Sequence, residues 1–186
     1  MRAGKLLYKY RGYTPAPFIV AGIFLADPRN DLMIFGAILM VFGELLRMVS
    51  VWYLCVSSRA REVVAEKMIT NGPYAYLRNP MYMGNMFIYM GASIFAGGWL
   101  PFMLYLVILV FSIQYSLTVK FEESVLKDLF GEKYLDYTES VPRFYPRLSA
   151  YPQKSKEKFF LATSLKSEKT TFLAIIGFII LVQIVS

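Results

Sequence analysis

Long apolar runs are the feature of this chain that most limits its fold. A helix that crosses a bilayer needs about 20 predominantly apolar residues. Five runs approach or reach that length, at residues 13–26, 32–56, 81–96, 100–119 and 171–186. The chain is also 56% hydrophobic and 17% aromatic, which is high for a water-soluble domain. The pattern predicts an all-α, multi-pass integral membrane protein with about five transmembrane helices.

The runs differ in how firmly they predict a span. Residues 81–96 and 100–119 are separated by Gly97-Gly98-Trp99, which predicts a central helical hairpin. Residues 13–26 form a short run that contains two prolines, so it is either a thin span or a re-entrant segment. No small-residue cleavage site follows that run, and it is expected to remain in the protein.

Lysine and arginine are unevenly distributed between the runs. With five spans and the N-terminus inside, one side carries four basic residues before residue 12, four at residues 59–78 and ten at residues 120–169. The opposite side carries Arg29. Because short cytoplasmic loops hold the excess of Lys and Arg, we expect the N-terminus and the loops on its side to be cytoplasmic.

One membrane domain, residues 1–186, is expected. Its parts are N-terminal helices at 1–56, a core at 57–149, a basic linker at 150–170 and a C-terminal helix at 171–186. The lysine-rich linker is expected to lie on an anionic leaflet.

The residue counts exclude several kinds of site. One cysteine, Cys55, allows no internal disulfide, and the absence of histidine argues against His-based catalysis and the usual zinc or haem ligation. No metal site and no nucleic-acid partner are expected.

A polar and aromatic passage, residues 71–84, lies between the apolar runs. Asn71-Gly72-Pro73 predicts a turn, and Pro80 suits the first turn of the helix that follows. The passage presents Tyr74, Tyr76, Arg78, Asn79 and Tyr82. So many hydrogen-bonding groups beside hydrocarbon indicate a polar ligand.

A second polar passage follows the hairpin. Glu122 and Glu123 lie where the fourth span is expected to emerge, and an amphipathic stretch then runs to Phe130, where Gly131 ends or bends the helix. Beyond it come Tyr134, Tyr137 and the Pro- and aromatic-rich segment with Arg143. Taken alone, the glutamates could be a solvated helix end and the tyrosines an interfacial belt.

Glu44 and Arg47 are two charges deep in the second apolar run. They are three residues apart on one helical face and can form an ion pair. Such a pair either fixes helix packing or leaves Arg47 exposed to a cavity where it meets an anionic head group. Glycines spaced seven apart, Gly36 with Gly43 and Gly84 with Gly91, predict close helix packing.

The two passages together offer carboxylates, guanidiniums and tyrosines beside a lipid-facing bundle. This set suits a small zwitterion with an aromatic ring, with its carboxylate on Arg, its ammonium or hydroxyls on Glu and its ring on Tyr. S-adenosylmethionine fits that description. A phosphorylated nucleotide fits less well, because the chain has no P-loop and no GxGxxG motif.

The ordered series Gly72-Pro73-Tyr74, Arg78-x-Pro80-x-Tyr82-x-Gly84, Glu122-Glu123, Phe130-Gly131-x-x-Tyr134-x-x-Tyr137 and Val141-Pro142-Arg143 resembles the isoprenylcysteine carboxyl methyltransferase and phospholipid methyltransferase superfamily. The resemblance covers about residues 40–147. It implies a cytosolic pocket for S-adenosylmethionine between the two passages and a lipid-like or prenylated acceptor that arrives from the bilayer.

On that resemblance, two sets of site residues are predicted. The catalytic candidates are Arg47, Glu123 and Arg143. The cofactor-binding candidates are Tyr74, Arg78, Asn79, Tyr82, Gly84, Glu122, Glu123, Tyr134 and Tyr137. Asn79 stands where the family usually has His, and an amide cannot act as a titrating base near neutral pH.

The leading prediction is a membrane S-adenosylmethionine-dependent methyltransferase of the isoprenylcysteine carboxyl type, and three alternatives stay open. A carboxylate acceptor, as in the isoprenylcysteine type, needs no base at neutral pH, whereas the amine of a phospholipid must first lose a proton. The lack of histidine leans slightly toward the carboxylate. An NADPH-dependent membrane reductase of the sterol type and a non-enzymatic membrane scaffold are the other two, and the oligomeric state is not indicated.

Overall fold

The computed structural model describes residues 2–54, 67–153 and 161–185, and within these ranges the chain is helical and contains no strand. The helices are α1 (Arg2–Tyr10), α2 (Pro15–Phe24), α3 (Asn30–Leu54), α4 (Pro80–Ala96), α5 (Phe102–Phe130), α6 (Glu132–Ser140) and α7 (Leu161–Val185), with a 3₁₀ helix at Gly72–Ala75. The predicted all-α fold is confirmed for these residues. Cys55, the basic residues at 59 and 61, and residues 154–160 of the predicted linker lie outside them.

Among the described residues, three helices are long and apolar enough to cross a bilayer: α3, α5 and the part of α7 at Glu168–Val185. α4 has 17 residues and is about 26 Å long, close to the hydrocarbon thickness of about 30 Å. α2 has 10 residues and is about 15 Å long, so this helix does not cross by itself. The chain is an integral membrane protein, and the total of five spans stays a prediction.

The glycines spaced seven apart bring α3 and α4 together, as predicted. A methyl group on Gly43 would lie 2.5 Å from the carbonyl oxygen of Gly84, and one on Gly36 would lie 2.6 Å from that of Gly91. Because no side chain separates the two backbones at these points, α3 and α4 pack along their shared length.

The predicted hairpin is formed by α4 and α5. Gly97 ends α4 with φ of 71°, a left-handed conformation that disfavours other residues, and its N–H donates to the carbonyl of Ser93 at 3.2 Å. The carbonyl of Ala96 accepts from the backbone N–H of Asp27 at 2.9 Å. The connection between α2 and α3 therefore braces the turn of the hairpin.

α5 is longer than the apolar run that predicts it. The helix continues through Glu122 and Glu123 to Phe130, and Gly131, with φ of 55°, ends it. Because one helix carries both the apolar run and the two glutamates, their positions are fixed relative to the membrane-embedded part.

α7 packs on α3 and α2 through an apolar cluster centred on Phe178, Val182, Met40 and Phe95. α7 begins at Leu161, inside the predicted linker, so the last part of that linker is helical.

Candidate functional site

The two polar passages of the sequence are joined by backbone hydrogen bonds. The N–H of Arg78 donates to the carbonyl of Pro142 at 2.9 Å, and the N–H of Arg147 donates to that of Tyr76 at 3.0 Å. The predicted turn forms the 3₁₀ helix that begins at Gly72, and Pro80 begins α4 as expected. The segment before α4 and the segment after α6 therefore form one unit.

Glu123 holds an arginine from each passage. Its Oε1 lies 3.2 Å from Nη1 of Arg78. Its carboxylate also accepts hydrogen bonds from Arg143, from Nε at 3.1 Å and from Nη2 at 2.5 Å. Hydrogen bonding to Glu123 raises the pKa of Arg143, although partial burial opposes that shift. The Glu123 side chain is 12% exposed, so this network is mostly shielded from solvent.

Glu122 points to a different neighbour from Glu123. The hydroxyl of Tyr82 donates to Oε1 of Glu122 at 2.7 Å, which ties the first turn of α4 to α5. Both residues are lining residues of a large cavity in the helix bundle. This hydrogen bond places a carboxylate at the polar end of that cavity.

Two tyrosines of α6, Tyr134 and Tyr137, pack behind the first passage, to which Tyr74 belongs. The hydroxyl of Tyr137 donates to the carbonyl of Tyr74 at 2.7 Å, and the rings of Tyr134 and Tyr137 are 6.1 Å apart. Burial raises the pKa of the hydroxyls of Tyr74, Tyr134 and Tyr137 above the ordinary value for tyrosine. Tyr134 and Tyr137 support the passage, whereas Tyr74 also lines the cavity.

Asn79 and Gly84 have different structural roles. The side-chain amide of Asn79 donates to the carbonyl of Arg143 at 3.2 Å, and Asn79 also lines the cavity. Gly84 faces α3, where a methyl group on it would lie 2.6 Å from Cγ of Arg47. Gly84 thus serves helix packing.

The cavity has a volume of about 670 Å³ and runs along α4 between the other helices. That volume is within the range of small-molecule sites, about 300–1,000 Å³. Its polar end is lined by Arg11, Tyr74, Arg78, Asn79, Tyr82 and Glu122. Its deeper part is lined by apolar side chains that include Phe18, Met40, Ile88, Val107, Ile175 and Phe178. One space therefore offers a polar mouth and an apolar interior.

Helix α1 and the turn after it contribute to the mouth, which was not predicted from the sequence. Tyr8 and Arg11 both line the cavity, and the Arg11 guanidinium lies 3.9 Å from the centre of the Tyr8 ring. Burial raises the pKa of Tyr8, the charge of Arg11 opposes the shift, and Glu122 adds to it. Arg11 is the residue that could have indicated this contribution, but its charge was used only to predict on which side of the membrane the N-terminus lies.

Arg47 lies at a junction of three helices. Its Nε is 3.4 Å from Glu44 on α3, its Nη1 donates to the amide oxygen of Asn85 on α4, and its Nη2 is 2.5 Å from Glu168 on α7. The predicted pair with Glu44 is confirmed, and Arg47 lines the cavity. Glu168 was missed because its segment was interpreted as a surface linker.

The structure divides the predicted site residues into two groups. Those that line the cavity are Arg47, Tyr74, Arg78, Asn79, Tyr82 and Glu122. Those that lie behind its wall are Gly84, Glu123, Tyr134, Tyr137 and Arg143. The first group can contact a ligand directly, and the second positions the first.

The chain is similar in sequence to known methyltransferases. The family model for phospholipid methyltransferase matches residues 32–133. Protein-S-isoprenylcysteine O-methyltransferase of Rattus norvegicus is 31% identical over 124 residues, which cover 60% of this chain and 40% of the rat protein. The protein of the same name from Dictyostelium discoideum is 31% identical over 120 residues, covering 57% of this chain and 46% of that protein.

A third relative carries a different name. The cobalt-zinc-cadmium resistance protein CzcN of Cupriavidus metallidurans is 25% identical over 143 residues, covering 74% of this chain and 63% of that protein. The matched part of the chain thus spans less than two thirds of each of these relatives. No solved structure matches the chain.

Proposed function

The chain belongs to the phospholipid methyltransferase family, and from this premise we propose that it binds S-adenosylmethionine at the polar mouth and methylates a lipid-like acceptor held in the apolar cavity. The observation that supports this proposal is that the polar mouth and the apolar interior belong to one continuous cavity. Arg78, Tyr82 and Glu122 line the same cavity as Phe18, Ile88 and Phe178. The excess of basic residues on the side of the mouth supports a cytoplasmic position for it.

The residues at the mouth suit the proposed cofactor. Nε of Arg78 is buried and has no hydrogen-bond partner within the part of the chain that the structure describes. A ligand carboxylate would supply the missing acceptor. Glu122 offers a carboxylate for an ammonium or a ribose hydroxyl, and Tyr74 and Tyr82 offer aromatic faces.

Positioning is the main contribution expected of the protein. S-adenosylmethionine, when bound, supplies a methyl group on a positively charged sulfur. Arg78 and Tyr82 would fix the cofactor, the apolar wall would fix the chain of the acceptor, and both would limit the access of water to the mouth. Glu123 would keep Arg78 and Arg143 in place, because it holds both guanidiniums.

The acceptor is proposed to be a prenylated or similar lipid carboxylate, as the names of several relatives suggest. A phospholipid amine is the second candidate. One observation favours it: Arg47, which lines the cavity below the mouth, already has two carboxylate partners, so an anionic acceptor would compete for it.

Cofactor binding is the first test. Calorimetry on the purified protein in lipid should detect S-adenosylmethionine and S-adenosylhomocysteine, and Arg78→Ala should weaken both by about tenfold or more. Arg29→Ala is the matched control, since Arg29 forms an exposed pair with Asp31. Binding of NADPH in place of the sulfonium would instead support a reductase, and binding of neither would support a scaffold.

Acceptor identity is the second test. Labelled S-adenosylmethionine supplied with a prenylated cysteine or with phosphatidylethanolamine in vesicles distinguishes the two candidates. Label in the cysteine ester supports the first, and label on the phospholipid amine supports the second. If neither acceptor is labelled although the cofactor binds, both acceptor assignments are wrong.

A further inference from the structure

A buried polar cluster lies about one helical turn further along α4 than the Tyr82–Glu122 bond. Its centre is the Arg47 guanidinium, and its members come from three helices. Asn85 stands three residues after Tyr82 on α4, Glu44 belongs to α3, and Glu168 belongs to α7. Arg47, Asn85 and Thr171 line the cavity at this depth.

Each nitrogen of the Arg47 guanidinium has a polar neighbour. Nη1 donates to Asn85, Nη2 is 2.5 Å from Glu168 and 3.4 Å from the hydroxyl of Thr171, and Nε faces Glu44 at 3.4 Å. An anionic ligand that pairs with this guanidinium would therefore compete with Glu168, the nearer of its two carboxylate partners. Displacement would leave a buried carboxylate without its cation, which is unfavourable.

Glu168 is itself held firmly. Its side chain has no exposed surface, and the hydroxyl of Thr171 donates to its Oε2 at 3.2 Å. α7 is also anchored deeper in the bundle through Phe178 and Val182. Glu168 is thus attached to a fixed wall of the cavity. That wall lies outside residues 32–133, the part of the chain that matches the family model.

We propose that Glu168 is a specificity-determining residue of the acceptor cavity. Because Glu168 pairs with Arg47, the Arg47 guanidinium is not available to an anionic head group below the mouth. The cavity then selects long-chain acceptors whose polar part at this depth is uncharged or cationic, and it confines any negative charge of the acceptor to the mouth. This inference rests on the proposed function, because it describes which acceptors that function uses.

Binding of simple amphiphiles tests the inference without requiring turnover. The probes are tetradecanoate, tetradecanol and tetradecylammonium, measured by competition with a fluorescent lipid on purified protein. Glu168→Gln should lower the ratio of the Kd for tetradecanoate to that for tetradecanol by about tenfold, because Arg47 becomes available to the carboxylate. Glu168→Asp, which keeps the charge, should retain the wild-type ratio.

Two further variants separate selectivity from structure. Glu44→Gln removes the other carboxylate partner of Arg47, whose distance of 3.4 Å is longer than the 2.5 Å of Glu168, and should lower the ratio by less than Glu168→Gln does. Adding Arg47→Met to Glu168→Gln should abolish the gain. An unchanged ratio in Glu168→Gln, or a gain that persists without Arg47, would overturn the inference.

Failure of the inference can be told apart from failure of the proposed function. If S-adenosylmethionine binds but the amphiphile ratio does not change in Glu168→Gln, Glu168 has no role in specificity and the methyltransferase proposal stands. If the ratio changes but the cofactor does not bind, the cavity is selective and the proposed reaction is wrong. Thermal unfolding of each variant in detergent checks that the bundle is intact.

Discussion

Tyr82 donates a 2.7 Å hydrogen bond to Glu122, and this bond joins α4 to α5 at the polar mouth of the cavity. The two residues are far apart in the sequence, yet their side chains close one side of the space that Arg78 and Asn79 line from the other. The mouth therefore depends on how two helices of the hairpin are aligned.

Tyr82→Phe is expected to weaken cofactor binding by several-fold and to lower the free energy of unfolding by about 1 kcal/mol, because Glu122 loses a hydrogen-bond donor. Calorimetry and thermal unfolding in detergent measure the two effects. Tyr105→Phe, at an exposed position of α5, should change neither. Equal effects of the two substitutions would show that the hydrogen bond is not responsible.

Glu123→Gln is expected to lower the free energy of unfolding by about 1–3 kcal/mol, because two guanidiniums lose their carboxylate. The cost is below that of a fully buried pair, since the Arg143 side chain is 35% exposed. Asp31→Asn removes an exposed ion pair and should cost at most about 1 kcal/mol. Chemical unfolding of both variants gives the comparison. Similar costs would mean that Glu123 does not organise the site.

Gly43→Ala is expected to destabilise the protein by about 1–3 kcal/mol, because its methyl group would collide with the carbonyl of Gly84. Gly177→Ala is the matched control, since a methyl group there meets no atom within 4 Å. Thermal unfolding in detergent compares the two. A loss of stability in Gly177→Ala equal to that in Gly43→Ala would contradict the proposed packing of α3 on α4.

Stability is expected to fall as the pH rises above about 10. Burial raises the pKa of Tyr74, Tyr134 and Tyr137, so the folded state keeps protons that the unfolded state, with a tyrosine pKa of about 10, releases. Unfolding therefore releases protons in this range, and the free energy of unfolding decreases with pH.

Tyr134→Phe removes one of these groups and should make the alkaline decrease less steep. Unfolding measured at several pH values, with tyrosinate absorbance as a second signal, tests this. A stability that is constant through the alkaline range would show that the three hydroxyls are not shielded from solvent.

Local patterns predicted much of the fold. The hairpin turn at Gly97, the helix start at Pro80, the helix end at Gly131 and the close approach at Gly43 all follow from the conformations that short segments allow. For residues 13–26 the sequence left a thin span and a re-entrant segment open, because an apolar run does not reveal where its helix ends; the helix has 10 residues.

Local patterns likewise predicted only part of the candidate site. Arg78, Tyr82 and Glu122 were predicted from residue chemistry and order, and they line one cavity. Glu168 and Asn85 were not predicted, because each acquires its partner, Arg47, from a helix distant in the sequence. Arg11 was not predicted to line the site, because its place at the mouth depends on the packing of α1 on α5. No local pattern in the chain specifies such partners.

Composition and the spacing of apolar runs, prolines and glycines thus determined that this chain is a helical membrane protein with a polar passage at one end of a hairpin. Tertiary structure alone decided that Glu123 holds two arginines behind the wall, that Glu122 faces the cavity, and that Glu168 reaches Arg47. The physical reason is that periodicity fixes which residues share a face of one helix, whereas the rotation and depth of neighbouring helices fix which faces meet.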